Sequence, residues 1–297
     1  VPNLICKLRK LQILRMGNNE IKNLPNCIGD LENLADLAVN DNKLENIPST
    51  FKKLDKLKSL NLQDNEIKDI YNISKNNNLK QLYLAKNRLT SIPTNVGKLE
   101  NLKHLSLEKN ELTDLPESIG KLRNLKILTV DNNKISKLPN TIKNLKSLVS
   151  LSAHDNELTE LPNMNGLNVG ILIFSRNNIK NIHKSIGDVN KLISLNLNNN
   201  KISKIPKSIG KLQDLLDLKL ANNNLEMLPE SIGNLKKLSN INLSNNNLTK
   251  LPRRFTELKN LKSINLKSEK LKTLCNVPLH IIKKSMIAEK TFKNVSS

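Results

Sequence analysis

Leucine and isoleucine recur along this chain in a fixed rhythm. In Leu192 to Leu212, LISLNLNNNKISKIPKSIGKL, Leu195 and Leu197 alternate with Ser194 and Asn196. That is the period-2 pattern of a short strand with one buried face. Asn200 follows where the chain must leave the strand. Its amide can satisfy backbone groups that a turn leaves unpaired, each costing about 1–3 kcal/mol if buried alone. Ile202, Ile205 and Ile209 fill the interior, and Pro206 fixes φ while removing a donor that has no partner there. Gly210 permits a tight return before Leu212.

The pattern reads Leu-x-x-Leu-x-Leu-x-x-Asn-x-Ile-x-x-Ile-Pro-x-x-Ile-Gly-x-Leu. Copies open at Leu11, Leu34, Leu57, Leu79, Leu102, Leu125, Leu148, Val169, Leu192, Leu215, Leu238 and Leu261. Nine of the eleven spacings are 23 residues and the others are 22 and 21, a self-similar period that predicts a solenoid. One coil cannot close its own core, so copies stack and share it, each strand pairing in parallel with the next about 4.8 Å away. Val1 to Leu8 matches the second half of a copy, so the chain starts in mid-coil and without Met, as a fragment of something longer would. The expected organisation is a partial repeat over 1–10, twelve repeats over 11–274 and a tail over 275–297.

An asparagine column runs Asn19, Asn42, Asn65, Asn87, Asn110, Asn133, Asn156, Asn177, Asn200, Asn223 and Asn246; the last copy has Glu269 there, as expected where stacking stops. Ten of the eleven prolines share one column, from Pro2 to Pro252. Over residues 1–274 these positions resemble the leucine-rich repeat family. The 23-residue L-P-x-x-I-G-x-L variant is similar to that of intracellular Ras-group proteins, the Shoc2 and Ras-suppressor type. The resemblance implies an α/β leucine-rich-repeat solenoid: a curved parallel sheet on the concave face, 3-10 or short helical turns on the convex face, and protein binding without catalysis. Its motif residues are structural and name no partner.

Some copies depart from the pattern. The third has Tyr71 for the proline and lacks the late apolar slot, ending Ser74-Lys75-Asn76-Asn77-Asn78. The seventh is two residues short around Met164-Asn165-Gly166, and in the eighth His183 replaces the proline. Loosened convex loops are the expectation for the first two, a hinge or lateral contact the alternative; at His183, drift. Past Cys275, Leu279, Ile282, Met286 and Ile287 fall near helical spacing with Lys283, Lys284, Lys290 and Lys293 available to the other side. That predicts an amphipathic capping helix, with a membrane-surface or partner-binding tail as rival.

Charge changes the picture less than its size suggests. The net of +21 raises nucleic-acid or anionic-membrane binding. Yet Trp is absent and aromatics are 2%, which leaves little to stack bases on. The expected concave positions, the third, fifth, seventh and eighth of each copy, hold Arg15, Lys86, Lys109, Arg176, Lys219 and Lys267 against Asp36, Asp41, Asp64, Glu108, Asp131, Asp155 and Asp217. The surplus therefore lies on turns, edges and tail, so nucleic acid and membrane are the less favoured partners. No run reaches the 18 or so apolar residues of a membrane span, and no signal peptide opens the sequence. Cys6, Cys27 and Cys275 form no even framework, which predicts unpaired thiols and a reducing, cytoplasmic setting.

No catalytic constellation emerges, and neither cofactor nor metal is expected. Cys-x-x-Cys, Gly-rich phosphate-loop and His-Glu-x-x-His patterns are missing. The pairs Asp131-Asn132 and Asp155-Asn156 belong to the structural turn before they suggest calcium. Against a concave face of mostly Ser, Asn and Asp, Tyr83, His104, Ile127, Ile171 and Ile173 stand out, with Lys86, Lys109, Asp131, His154, Asp155 and Arg176 around them. Apolar groups ringed by polar ones are the usual anatomy of a docking hot spot. The expected function is a protein-interaction scaffold binding a partner protein there, by resemblance a small GTPase, phosphatase or kinase. The rivals are a sensor or targeting segment of a larger signalling enzyme and a basic nucleic-acid or membrane binder.

Overall fold

The computed structural model describes residues 1–73 and 76–267. The capping helix expected past Cys275, like Glu269, lies outside the described residues. The chain divides into two compact units, Val1–Leu158 and the part from Thr159 onward. The division falls inside the seventh copy, the one two residues short.

The first unit has seven strands: β1 (Ile13–Arg15), β2 (Asp36–Ala38), β3 (Ser59–Asn61), β4 (Gln81–Tyr83), β5 (His104–Ser106), β6 (Ile127–Thr129) and β7 (Ser150–Ser152). They pair in parallel and in sequence order, so that Leu14, Leu37, Leu60, Leu82, Leu105, Leu128 and Leu151 stand in one row. The second unit repeats this with β8 (Ile171–Ile173), β9 (Ser194–Asn196), β10 (Asp217–Lys219), β11 (Asn240–Asn242) and β12 (Ser263–Asn265). In each strand the central side chain points into the coil and its two neighbours point out. Leu60, Leu105, Leu128 and Leu195 are 0% exposed, and sinking each one stabilises the stack by about 1.5–3 kcal/mol. This is a leucine-rich-repeat solenoid in both units.

The asparagine column stitches coil to coil. Asn133 donates through its amide nitrogen to the carbonyls of Leu107 in the preceding coil (3.0 Å) and of Val130 (3.0 Å) and Asp131 (3.2 Å) in its own. Its oxygen accepts from the Leu112 N–H at 3.0 Å. Asn65, Asn87, Asn110, Asn200 and Asn223 repeat this set. Ten members of the column are buried; Asn19 is exposed, and its amide nitrogen donates to the carbonyls of Met16 and Gly17 in its own coil.

One residue earlier, the chain takes a left-handed turn in eleven coils, with φ between 54° and 57°. Asn or Asp occupies eight of these sites, as the cost of that conformation for other L-residues dictates. Lys86, Lys109 and Arg176 are the exceptions. Lys109→Asn is therefore expected to raise stability by about 0.5–1 kcal/mol, read as a higher urea midpoint; an unchanged or lower midpoint would show the lysine unstrained.

The turns opposite the strands are five-residue 3-10 elements opening at the proline column. Pro206 has φ −67°, and its carbonyl accepts from Ile209 N–H at 3.0 Å, which seats Ile209 in the core at 1% exposure. Gly210 must be glycine for closeness: a Cβ there would lie 2.4 Å from the Ser231 carbonyl oxygen of the next coil.

The departing copies are repaired by other chemistry. In the third, the turn shrinks to Tyr71–Ile73, and Asn76 fills the missing apolar slot fully buried, donating to Phe51 O at 3.1 Å and Leu54 O at 2.9 Å. In the seventh, Met164 at 1% exposure closes the coil while Gly166 takes φ 81°. His183 is more than drift. It caps the turn Lys184–Asp188, its Nδ1 accepting from the Ser185 N–H at 3.2 Å.

The cysteines correct the sequence expectation. Cys6 and Cys27 form a disulfide joining the turns Asn3–Lys7 and Asn26–Asp30, with Cα atoms 5.7 Å apart. Cys6 occupies the glycine column and Cys27 the column of small residues that the glycines face, as Gly29 faces Thr50. Where other coils meet by omitting a Cβ, the first two meet through a covalent bond.

Candidate protein-binding face

The first and third residues of each strand, with the two that follow the next buried position, make up the outer face of each sheet. In the first unit its centre is Tyr83 at the end of β4. The Tyr83 ring lies edge-on to His104 of β5, centroids 5.0 Å apart, and its hydroxyl is 3.3 Å from His104 Nδ1. Both are half-buried and reachable, as is Ile127 on β6 beside His104. Burial lowers the His104 pKa, opposed by Glu108. The imidazole is thus neutral at physiological pH and presents a weakly polar edge.

The fifth positions beyond Tyr83 are small: Ser106, Thr129 and Ser152, in register across β5 to β7. Two carboxylates border this row. Glu108 accepts from the Ser106 hydroxyl, and Asp131 accepts from the Ser152 hydroxyl at 2.5 Å and the His154 N–H at 2.7 Å. Burial is the largest influence on Asp131 and raises its pKa, against those two hydrogen bonds. Much of the remaining charge is paired within the face, Arg15 with Asp36 at 2.9 Å and Lys86 with Asp64 at 2.6 Å. Exposed pairs of this kind contribute little stability.

The residues singled out in the sequence thus fall into two groups. Tyr83, His104, Ile127, Asp131, His154 and Asp155 belong to the first unit, where β4 to β6 and the segments after β6 and β7 bring them together. Ile171, Ile173 and Arg176 belong to the second, with Ile171 and Arg176 exposed and Ile173 half-buried. The row of small hydroxyls was not singled out, although its signal, Ser or Thr at the fifth position of three successive copies, was present. Among the described residues no group of three or more His, Cys, Asp or Glu could hold a metal ion.

The model of the leucine-rich repeat region matches residues 60–183 and 171–279. The chain is a leucine-rich-repeat protein. Among solved structures it is similar to a leucine-rich-repeat protein of Leptospira interrogans, at 31% identity over 91% of this chain and 83% of that one, TM-score 0.59. It also resembles the TDR receptor (28% identity, 90% of this chain, 48% of that one, TM-score 0.75). A third is the plant peptide hormone receptor RGFR1 in complex with RGF2 (25% identity, 90% and 49%, TM-score 0.72). This leucine-rich-repeat chain thus spans about half the length of those two receptor structures. No curated protein is detectably similar to it in sequence.

Proposed function

We propose that the chain is a non-catalytic scaffold that binds a partner protein on the outer face of its strands, centred in the first unit on Tyr83, His104 and Ile127. The observation that carries this is the Tyr83–His104 pair: an aromatic edge and a neutral imidazole, half-buried and open to a partner, beside Ile127 and ringed by partly satisfied carboxylates. The backbone under it is fixed by the asparagine hydrogen bonds, so little ordering entropy is lost on association. Leucine-rich repeats are in general protein-interaction scaffolds, and the RGFR1 structure has RGF2 in complex, which supports the reading. Ile171, Ile173 and Arg176 would supply a second contact surface in the other unit.

The disulfide favours an oxidising compartment, since such bonds persist where thiols are not kept reduced. The 23-residue period favours instead the intracellular Ras-group type, and with it a small GTPase, phosphatase or kinase as partner. Counting free thiols in protein taken from its native setting separates these two readings. For the site, affinity capture with the purified chain and mass spectrometry is run beside Tyr83→Ala and Ile173→Asp. At least a tenfold lower recovery of the same partner is expected for Tyr83→Ala, with the fold unchanged by circular dichroism. Equal recovery with both variants would remove this face from consideration.

A further inference from the structure

The residue immediately before each strand belongs to the edge of the face. In four successive coils of the first unit it is lysine: Lys58, Lys80, Lys103 and Lys126. The backbone locks the four together, Lys80 N–H donating to Lys58 O, Lys103 N–H to Lys80 O and Lys126 N–H to Lys103 O, each at 2.8 Å. Their stems therefore advance by one strand spacing at a time, about 4.8 Å, and the row spans about 14 Å. All four are exposed. Cations of this unit that do meet a carboxylate, among them Arg15, Lys43, Lys53, Lys68, Lys86, Arg88 and Lys134, stand outside the row. The flanking columns offer no carboxylate either: Lys56, Asn78, Asn101 and Asn124 on one side, Ser59, Gln81, His104 and Ile127 on the other.

The opposite edge shows what the chain does with charge that has no partner to wait for. There the residue after the asparagine column alternates in sign through seven coils: Glu20, Lys43, Glu66, Arg88, Glu111, Lys134, Glu157. Lys43 meets Glu20 at 3.3 Å, Arg88 meets Glu66 at 3.0 Å and Lys134 meets Glu111 at 3.1 Å. One edge is self-neutralised by alternation, while the other keeps four like charges at strand spacing and then gives way to Val149, itself 53% exposed. Like charges held this close repel, a cost that an anionic partner relieves.

We propose that the lysine row receives an acidic run of the partner protein, laid in extended form along Lys58, Lys80, Lys103 and Lys126. The inference rests on the strand-face reading and names the chemistry of the partner there. An extended chain advances about 3.3–3.6 Å per residue, so the row matches a run of about five residues. A peptide fits better than a nucleic acid. The far side of the same face carries Asp64, Glu108, Asp131 and Asp155, which repel a uniform polyanion broad enough to reach Tyr83. Tyr83 is also the one Tyr, Phe or Trp among the strand residues of this unit, too few to stack successive bases.

The test uses a fluorescein-labelled peptide of six glutamates and a terminal leucine, with fluorescence anisotropy at physiological salt. Lys80→Gln/Lys103→Gln is compared with Lys43→Gln/Lys134→Gln, which removes the same charge from the opposite edge. The row variant is expected to weaken binding at least tenfold and the control less than threefold. No peptide binding, equal weakening by both variants, or tighter binding of a single-stranded oligonucleotide of the same charge would overturn the proposal. A captured partner tells the two readings apart. If it is lost with Tyr83→Ala and kept with the row variant, the row falls and the face stands; the reverse leaves the row and removes the face.

Discussion

Leu128→Ala is expected to destabilise the first unit by about 2–5 kcal/mol. Leu128 is the central residue of β6, 0% exposed, with Leu105 and Leu151 beside it in register. Coils held on both sides by a backbone ladder cannot collapse into the space left, so the cavity cost adds to the lost transfer energy. Asn133→Ala should be comparably severe for a different reason. It leaves the Leu112 N–H dry inside the stack, at about 1–3 kcal/mol, and takes one of two amide donors from each of the Leu107 and Val130 carbonyls, which keep those of Asn110 and Asn156. Asn19→Ala is the control, because Asn19 is exposed and its amide nitrogen donates within its own coil; its cost should stay below about 1 kcal/mol. Urea unfolding of the three variants decides. Equal losses at Asn133 and Asn19 would mean that the asparagine column does not join the coils.

Reduction of the Cys6–Cys27 disulfide should loosen the first coil and leave the distant ones untouched. Closing a loop across 21 residues is worth about 3 kcal/mol in the chain-entropy account. Contacts in a solenoid run only between neighbours, so the loss stays local. Hydrogen exchange at the amides of Leu8 and Leu11, which bond to Ile5 and Leu8, should speed up on adding reductant, while Leu197 keeps its protection. The double variant Cys6→Gly/Cys27→Ser recreates the glycine-on-serine contact that Gly210 makes with Ser231, and should be insensitive to reductant. Three titratable thiols in the native protein, or exchange that ignores reductant, would contradict the assignment.

Much of this was legible because the sequence states it twelve times over. One leucine or asparagine per copy identifies a column, and a column fixes both a strand row and its hydrogen bonds. What stayed illegible was whatever occurs once. Asn76 reads as the loss of an apolar slot, yet it is buried because its amide finds the Phe51 and Leu54 carbonyls. His183 reads as a lost proline, yet its ring takes over the cap. The disulfide was readable only by noticing that Cys6 sits in the glycine column and Cys27 in the column facing it. Of the proposed docking face, the sequence placed Tyr83, His104 and Ile127 on neighbouring strands. The ring contact, the hydroxyl row and the burial of Asp131 depend on side-chain geometry that a column does not encode.

The most direct measurement is site-directed photo-cross-linking to the captured partner. A benzophenone side chain is placed at position 127, on the outer face of β6, and separately at position 121, at the end of the turn Glu117–Lys121. The account predicts a covalent adduct with the partner from position 127 and none from position 121. An adduct from the turn alone would contradict it.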